Sequence, residues 1–233
     1  MKRYFRFILP TVAVMFVFGA VGVADTKAQV NKLREILTRV DNHNKALTTL
    51  RADVTMGKQN AQLGDDPEIT TGTAIYAKRP GKDALARIDW KKPLEESLAV
   101  VDGRYIIYRT KLGIAYTGSA KDKTKDTKGN SALAFMNMSK AELNASYTAA
   151  YLGEATLSDG TRTVHLQLTP KSKTSYKLAE LWVDVDGMPR QSKIVENNND
   201  TTTVLLTKLQ KNPSLKSSDF KVTYPDGTKV VKS

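Results

Sequence analysis

The order of apolar and polar residues predicts one amphipathic helix followed by strands. Apolar residues recur at helical spacing over roughly residues 28–50, which is typical of a helix with one buried stripe. The stripe comprises Val30, Leu33, Leu37, Val40 and Leu47, with Ile36 beside it. The period then changes to two, because Leu50, Ala52, Val54 and Met56 alternate with polar residues as in a half-buried strand.

Strands separated by turn residues account for most of the remaining chain. Alternation predicts strands over Ile69–Arg79 and 84–90, and "SLAVVDGRYIIYR" (97–109) predicts a hairpin on an Asp-Gly turn. Further strands are predicted at 112–117, 164–168, 178–185, 192–196, 202–209 and 220–224. Residues 228–231 could fold back onto the last of these. Tight turns between strands favour an antiparallel sheet.

A different pattern separates the two sets of strands. Residues 121–130 are charged and threonine-rich without an apolar anchor, so we expect a mobile loop there. Residues 131–146 then combine apolar residues with good helix formers, which predicts one or two short helices broken near 137–139. Ser139 and Glu142 have the spacing of a capping box at the start of the second helix.

The long helix must bury its stripe, and the sheet is the surface that can cover it. We therefore expect one curved antiparallel sheet with helices on its concave side. Such a sheet leaves room for a ligand if the helices do not fill it.

The start of the chain has the features of a secretory signal peptide. Lys2, Arg3 and Arg6 precede an almost unbroken apolar run from Ile8 to Ala24. Cleavage is expected after Ala24 or after Ala28, and the first alternative leaves residues 25–233 as a single domain. The other interpretation, a retained membrane anchor, is disfavoured because the run is shorter than the roughly 20 residues that a spanning helix needs.

Composition narrows the function classes. The formal net charge is +12, but the cations are dispersed among acids, and export argues against nucleic acid as the partner. The surplus is weak evidence for work near an anionic surface, and ordinary solvated faces explain it equally well. The chain has no cysteine, which removes disulfides, thiol catalysis, Cys-ligated metals and the lipid anchor of a bacterial lipoprotein.

No catalytic set or cofactor motif is evident in the sequence. His43 and His165 are expected on polar faces as solvated side chains. The acids at 65, 66 and 68 fit a flexible loop better than a cation site, and "DVDG" (184–187) lacks the later ligands of a calcium loop. We therefore expect no enzyme activity and no cofactor, with a periplasmic hydrolase as the remote alternative.

The segment "AIYAKRPGKDALARIDWKKPLEESLAVVDGRYIIY" (74–108) resembles the periplasmic lipoprotein carriers, the LolA-like family. The resemblance rests on a strand that ends in Lys-Arg-Pro, a second strand that ends in tryptophan, and an apolar-Asp-Gly-apolar-Tyr hairpin. "LQLTPKS" (166–172) and "LWVDVDGMPRQSKI" (181–194) follow the same family order.

The resemblance implies a mainly β fold with helices (α+β), namely an incomplete antiparallel barrel of about 11 strands. A long N-terminal helix and short lid helices would lie over an apolar cavity. It further implies a monomeric periplasmic chaperone that carries acylated lipoproteins from an inner-membrane lipoprotein-releasing transporter to an outer-membrane receptor. The alternative on the same fold is a lipid- or glycolipid-binding sensor or adaptor.

The resemblance assigns a latch role to Arg79, which would hydrogen-bond to the lid while the cavity is empty. Alternation places Arg79 on the same strand face as Ile75 and Ala77, which we interpret as the cavity face. A guanidinium can donate several hydrogen bonds that one bound acyl chain could outcompete. The alternative is a rim arginine that faces solvent.

Other apolar residues are candidates for the cavity wall and the lid. Two methionines near a phenylalanine would form a surface that adapts to a flexible alkyl chain, although ordinary core packing explains them nearly as well. The wall candidates are Ile75, Ile88 and Trp90. The lid candidates are Leu133, Phe135, Met136, Met138 and Leu143.

Overall fold

The computed structural model describes residues 23–120 and 138–232. Within these ranges the chain forms two α-helices, α1 (Val23–Ala46) and α2 (Lys140–Ser146). The first set of strands is β1 (Thr49–Gln59), β2 (Glu68–Ala77), β3 (Leu85–Lys92), β4 (Glu96–Val101), β5 (Arg104–Arg109) and β6 (Ile114–Ser119). The second set is β7 (Tyr147–Thr156), β8 (Arg162–Pro170), β9 (Tyr176–Asp184), β10 (Pro189–Glu196), β11 (Thr201–Lys211) and β12 (Lys229–Lys232).

The strands form a single open, curled sheet with the order β12-β6-β5-β4-β3-β2-β1-β11-β10-β9-β8-β7. The two sets of strands therefore join where β1 pairs with β11. This architecture confirms the predicted α+β class and the incomplete barrel, with twelve strands in place of about 11.

Two parts of the sheet differ from the sequence prediction. Strand β7 was not predicted, and a register shift at Tyr151/Gly153 interrupts its pairing with β8. Strand β12 pairs with β6 in parallel and does not fold back on residues 220–224, which are not a strand. The prediction of a wholly antiparallel sheet is therefore wrong at this one edge. The cause is the path of the chain after β11, which crosses the convex face before it reaches β6.

Helix α1 begins and ends several residues earlier than predicted, because β1 already starts at Thr49. Ile36, Leu37 and Val40 are buried, as the apolar stripe requires. Val30 is 56% exposed, so the prediction of a buried stripe is wrong at its N-terminal end. Among residues 27–46, the buried apolar side chains of the helix lie from Ile36 onward, and Leu33 packs against the core half-buried.

The core under α1 occupies one side of the concave face, which we call the filled half. It consists of the inner side chains of β1 and β8–β11 together with the buried face of α1. Leu166, Leu181, Val183 and Val204 are each fully buried there. Close packing of this kind is where most of the hydrophobic stabilisation of the fold arises.

Residues 212–232 cross the convex face behind β2–β6, and we call them the C-terminal strap. A 3-10 helix (Ser217–Phe220) buries Phe220 in a small cluster with Ala77 and Leu85. Arg87 fixes the strap, because its Nη1 donates to the carbonyl oxygens of Asp219 and Lys221 at 3.2 and 2.6 Å. This half of the sheet is therefore covered from outside.

Candidate functional site

A row of apolar side chains crosses β3–β6 on the concave face. Residues that pair across antiparallel strands point to the same side, and Ile88 pairs with Leu98, Leu98 with Ile107, and Ile107 with Tyr116. Ile88 is buried and continuous with the core, whereas the other three side chains are half-buried. We call the concave face of β2–β6 the open half. The open half is an apolar surface that the core under α1 covers only in part.

Trp90 belongs to the open half, as predicted for the cavity side of its strand. It lies two residues beyond Ile88 on the same face of β3 and packs, half-buried, against the core. Its cross-strand partner is Gly72, where a Cβ atom would lie 2.3 Å from the carbonyl oxygen of Asp89. The absence of a side chain at Gly72 therefore allows β3 to approach β2 and sets the position of the indole.

An ion pair lies at the end of the open half next to Trp90. The register places Glu96 and Arg109 on this face, and Arg109 Nε donates to Glu96 Oε2 at 2.7 Å. The guanidinium also lies over the ring of Tyr116, 5.4 Å from its centroid. The hydrogen bond to Glu96 raises the pKa of Arg109 above its usual value. Sequence reasoning missed this pair. Both residues are equally far from the Asp102-Gly103 turn of the predicted hairpin, so the hairpin register places them opposite each other.

Arg79 lies just beyond the end of β2, in the connection to β3. Its Nε and Nη2 donate to the carbonyl oxygen of Asp83 at 2.8 and 2.6 Å, and Nη1 donates to Asp102 Oδ1 at 2.8 Å. These residues line an open, polar depression of about 580 Å³. Within the described residues the guanidinium therefore joins two adjacent turns. The lid contact stays a prediction, because residues 131–137 lie outside the described ranges.

The neighbouring Lys78 makes the contact with helix α1. Its Nζ donates to the carbonyl oxygen of Asn44 at 3.2 Å. The Nδ2 atom of Asn44 in turn donates to the carbonyl oxygen of Met138 at 2.6 Å. The chain that leads into α2 is thereby tied to the C-terminal end of α1.

Two of the predicted lid residues lie in the described part of the chain. Met138 is half-buried against the core. Leu143 lies on α2 and is buried where α2 contacts α1 and β7. The predicted capping box is confirmed, since Glu142 N donates to Ser139 Oγ and Ser139 N donates to the Glu142 carboxylate. The remaining lid candidates, Leu133, Phe135 and Met136, lie outside the described residues.

The structure separates Ile75 from the other wall candidates. Ile88 is in the concave core, whereas Ile75 packs with Phe220 and Leu215 of the C-terminal strap. On β2 it is Ala74 and Tyr76 that face the concave core. The expectation that Ile75 and Ala77 face the cavity is therefore wrong, because β2 is apolar on both faces near its C-terminal end and the strap covers the face that carries these two residues.

The two histidines are packed more tightly than the sequence suggests. His43 is only 9% exposed, and burial together with nearby Lys211 lowers its pKa. His165 lies on the polar side of β8 as predicted, but it stacks on Trp182 with ring centroids 4.2 Å apart and pairs with Glu180 at 2.9 Å. Among residues 23–120 and 138–232, no group of three acidic or histidine side chains could hold a metal ion.

An open, curled sheet with a helix over part of its concave face defines an incomplete barrel of the lipoprotein-carrier type. The chain belongs to the family described as outer membrane lipoprotein carrier protein LolA, whose model matches residues 47–223. No curated protein matches the sequence. In the described part of the chain, no helix is long and apolar enough to cross a membrane.

Solved structures share this fold at low sequence identity. An uncharacterized conserved protein from Thermus thermophilus has 14% identity and a TM-score of 0.54, over 87% of this chain and 99% of that chain. A chain of the MucA/MucB complex from Pseudomonas aeruginosa has 15% identity and a TM-score of 0.51, over 82% and 61%. LprF from Mycobacterium bovis has 15% identity and a TM-score of 0.50, over 85% and 98%. At these identities the likeness concerns the fold alone.

Proposed function

We propose that this protein binds the acyl chains of lipoproteins in the open half and carries them through the periplasm from the inner to the outer membrane. The observation that carries the proposal is the half-buried row Leu98–Ile107–Tyr116, which extends the core from Ile88 across the concave face as apolar surface. Membership of the LolA family supports the same function.

The energetics of this surface suit reversible binding of alkyl chains. Burial of each CH₂ group contributes about 0.8 kcal/mol, so a long acyl chain gains more than a few surface hydrogen bonds can offset. Leu98, Ile107 and Tyr116 are already half-buried, so they lose little conformational entropy when a ligand covers them. A preformed, non-directional surface accepts different acyl chains.

The ion pair at the end of the open half suits the polar part of such a cargo. The ester and amide carbonyls of an acylated cysteine accept hydrogen bonds, and Arg109 has donors beyond the Nε that Glu96 engages. Trp90 beside the pair can contact both an alkyl chain and a polar linker.

The role that we propose is that of a non-enzymatic, monomeric chaperone exported to the periplasm. It would receive lipoproteins from an inner-membrane transporter and deliver them to an outer-membrane receptor. The chain is long enough for one domain of this kind, and the family model matches residues 47–223.

The two tryptophans provide a direct test. Trp90 lies in the open half and Trp182 stacks on His165 on the convex face, so Trp182→Phe leaves a single reporter at the site. Addition of a diacylated lipopeptide should shift Trp90 emission to shorter wavelength with saturable binding. The same titration of Trp90→Phe, which retains Trp182, should leave the emission unchanged.

An assay of lipopeptide transfer distinguishes a carrier from a sensor. The loaded protein should release its lipopeptide to outer-membrane vesicles that contain the receptor. Saturable binding without any transfer would favour the alternative, a lipid- or glycolipid-binding sensor, and no saturable binding at all would refute the site itself.

A further inference from the structure

We propose that one corner of the molecule docks directly on an anionic phospholipid bilayer. The corner consists of the β3–β4 connection (91–96), the β5–β6 connection (109–113) and the end of the C-terminal strap (224–232). This surface meets the open half only at the Glu96–Arg109 pair, and docking requires neither cargo nor a receptor protein.

Two leucines project from neighbouring turns at this corner. Leu94 is 57% exposed and Leu112 is 58% exposed. A backbone hydrogen bond of 3.3 Å from Thr110 N to the carbonyl oxygen of Glu95 holds the two turns together. More than half of each leucine side chain is left outside the fold, and two such side chains on adjacent turns can enter the interfacial layer of a bilayer together.

The strap extends the apolar surface beside these turns. Tyr224 is 38% exposed and lies 5.7 Å from Tyr108, measured between ring centroids. Val230 is 45% exposed on β12, which pairs with β6 immediately after the Leu112 turn. A tyrosine with an apolar ring and a polar hydroxyl suits the head-group region of a membrane.

The charges around these side chains are complementary to anionic lipid. The corner contains six cations and three acids, and the cations are Lys91, Lys92, Arg109, Lys111, Lys229 and Lys232. The acids are Glu95, Glu96 and Asp226, and Arg109 and Glu96 pair with each other. Lysines beside apolar tips can keep their ammonium groups among lipid phosphates while the leucines lie deeper.

A neighbouring hairpin limits the direction from which the membrane can approach. The β1–β2 connection also has an exposed leucine, Leu63 at 68%, but it carries Asp65, Asp66 and Glu68. Anionic lipid repels these carboxylates, so docking is expected on the β12 side of the barrel end. Trp90 and the Arg109–Glu96 pair lie at this same end, which gives an acyl chain a short path between bilayer and open half.

The test is co-sedimentation of the protein, recovered in its exported form, with vesicles. Vesicles of phosphatidylethanolamine with phosphatidylglycerol should bind the protein, and added salt should weaken the binding. Vesicles of phosphatidylcholine alone should bind it far less. Leu94→Ser combined with Leu112→Ser should lower the partition coefficient by at least about tenfold, because two partly inserted leucines are removed.

Matched variants identify the surface that is responsible. Lys92→Glu combined with Lys111→Glu should weaken binding by more than about tenfold, since each lysine contributes about 1 kcal/mol near an anionic surface. Leu63→Ser removes an even more exposed leucine from the acidic hairpin and should leave binding unchanged. All of these sites are exposed, and unchanged circular dichroism will confirm folding.

Three outcomes would overturn the proposal. They are failure to bind the anionic vesicles, equal loss of binding in Leu63→Ser, and leucine-dependent self-association in sedimentation velocity without vesicle binding. The last outcome would make the corner an interface between copies of the chain. None of these results depends on the Trp90 fluorescence test of lipopeptide binding. The proposal for the docking surface and the proposal for the acyl-chain site can therefore be refuted independently.

Discussion

Gly187 lies against the backbone of Arg39, where a Cβ atom at the glycine would be 2.3 Å from the carbonyl oxygen of Arg39. The turn between β9 and β10 is thereby pressed onto α1, and Arg39 Nη1 donates to the carbonyl oxygen of Val185 at 3.1 Å. Asp184 stabilises the same turn by accepting from the backbone N–H groups of Asp186 and Met188. This contact fixes α1 over the filled half.

Gly187→Ala should therefore strongly destabilise the fold. The backbone at Gly187 has φ of +88°, and an added methyl group would collide with α1, so we expect a loss of more than about 3 kcal/mol in the free energy of unfolding. Gly160→Ala is the matched control, because Gly160 has φ of +82° but nothing within 4 Å of a Cβ atom. It should cost about 1 kcal/mol. Equal losses in urea denaturation would show that the contact with Arg39 is unimportant.

His43 should make the stability of the protein depend on pH. Burial and Lys211 lower its pKa below the ordinary 6.5, while Asp184 and Asp186 oppose this effect. Below pH 6.5 the unfolded chain therefore binds more protons at this residue than the folded one, and the free energy of unfolding should fall from pH 7.5 to pH 5.5. His43→Gln should reduce this slope in urea denaturation. An unchanged slope would exclude His43 as its origin.

Arg79→Leu tests the latch. The variant removes three hydrogen bonds to Asp83 and Asp102, and we expect a stability loss of about 1 kcal/mol for this partly exposed group. A latch predicts a looser lid and slower release of bound lipopeptide. Asp102→Ala breaks the ion pair but keeps the arginine. If Asp102→Ala changes release as much as Arg79→Leu does, Arg79 acts by positioning the two turns and not by holding the lid.

A charge in the open half should abolish acyl-chain binding. Leu98→Asp places a carboxylate in the middle of the apolar row, and desolvation of that carboxylate opposes burial of an alkyl chain. We expect lipopeptide affinity to fall by at least about a hundredfold, equivalent to about 2.7 kcal/mol. Ile69→Asp is the control, because Ile69 is 50% exposed and lies outside the apolar row. This variant should bind the lipopeptide normally. Normal binding by Leu98→Asp would place the site outside the open half.

Local patterns of apolar and polar residues correctly predicted the elements that have one apolar and one polar face. Strand β1 was recognised because Leu50, Ala52, Val54 and Met56 are buried while its other face is polar. The hairpin on Asp102-Gly103 was recognised because both residues adopt positive φ, which this dipeptide favours. Strand β7 was missed because its inner residues include Ala149 and the shift at Gly153 breaks the alternation.

The errors in the candidate site have a common cause, which is burial by distant segments. Ile75 is covered by the C-terminal strap about 140 residues later in the chain, and His43 is packed beneath the turn at 184–188. No pattern within β2 or α1 contains this information. Family resemblance correctly supplied the open barrel. The pairing of Glu96 with Arg109 follows from the register of the predicted hairpin and was overlooked, whereas the contact of Arg79 with Asp102 joins two turns that no local pattern relates.

The division of the concave face has an evolutionary consequence. Substitutions beneath α1 disturb a close-packed interior, so selection for folding should restrict them severely. Those along Leu98, Ile107 and Tyr116 alter a surface that is only half-buried, and their cost to folding is smaller. Descendants of this scaffold can thus diversify the molecules they accommodate while the architecture that supports them is inherited almost intact.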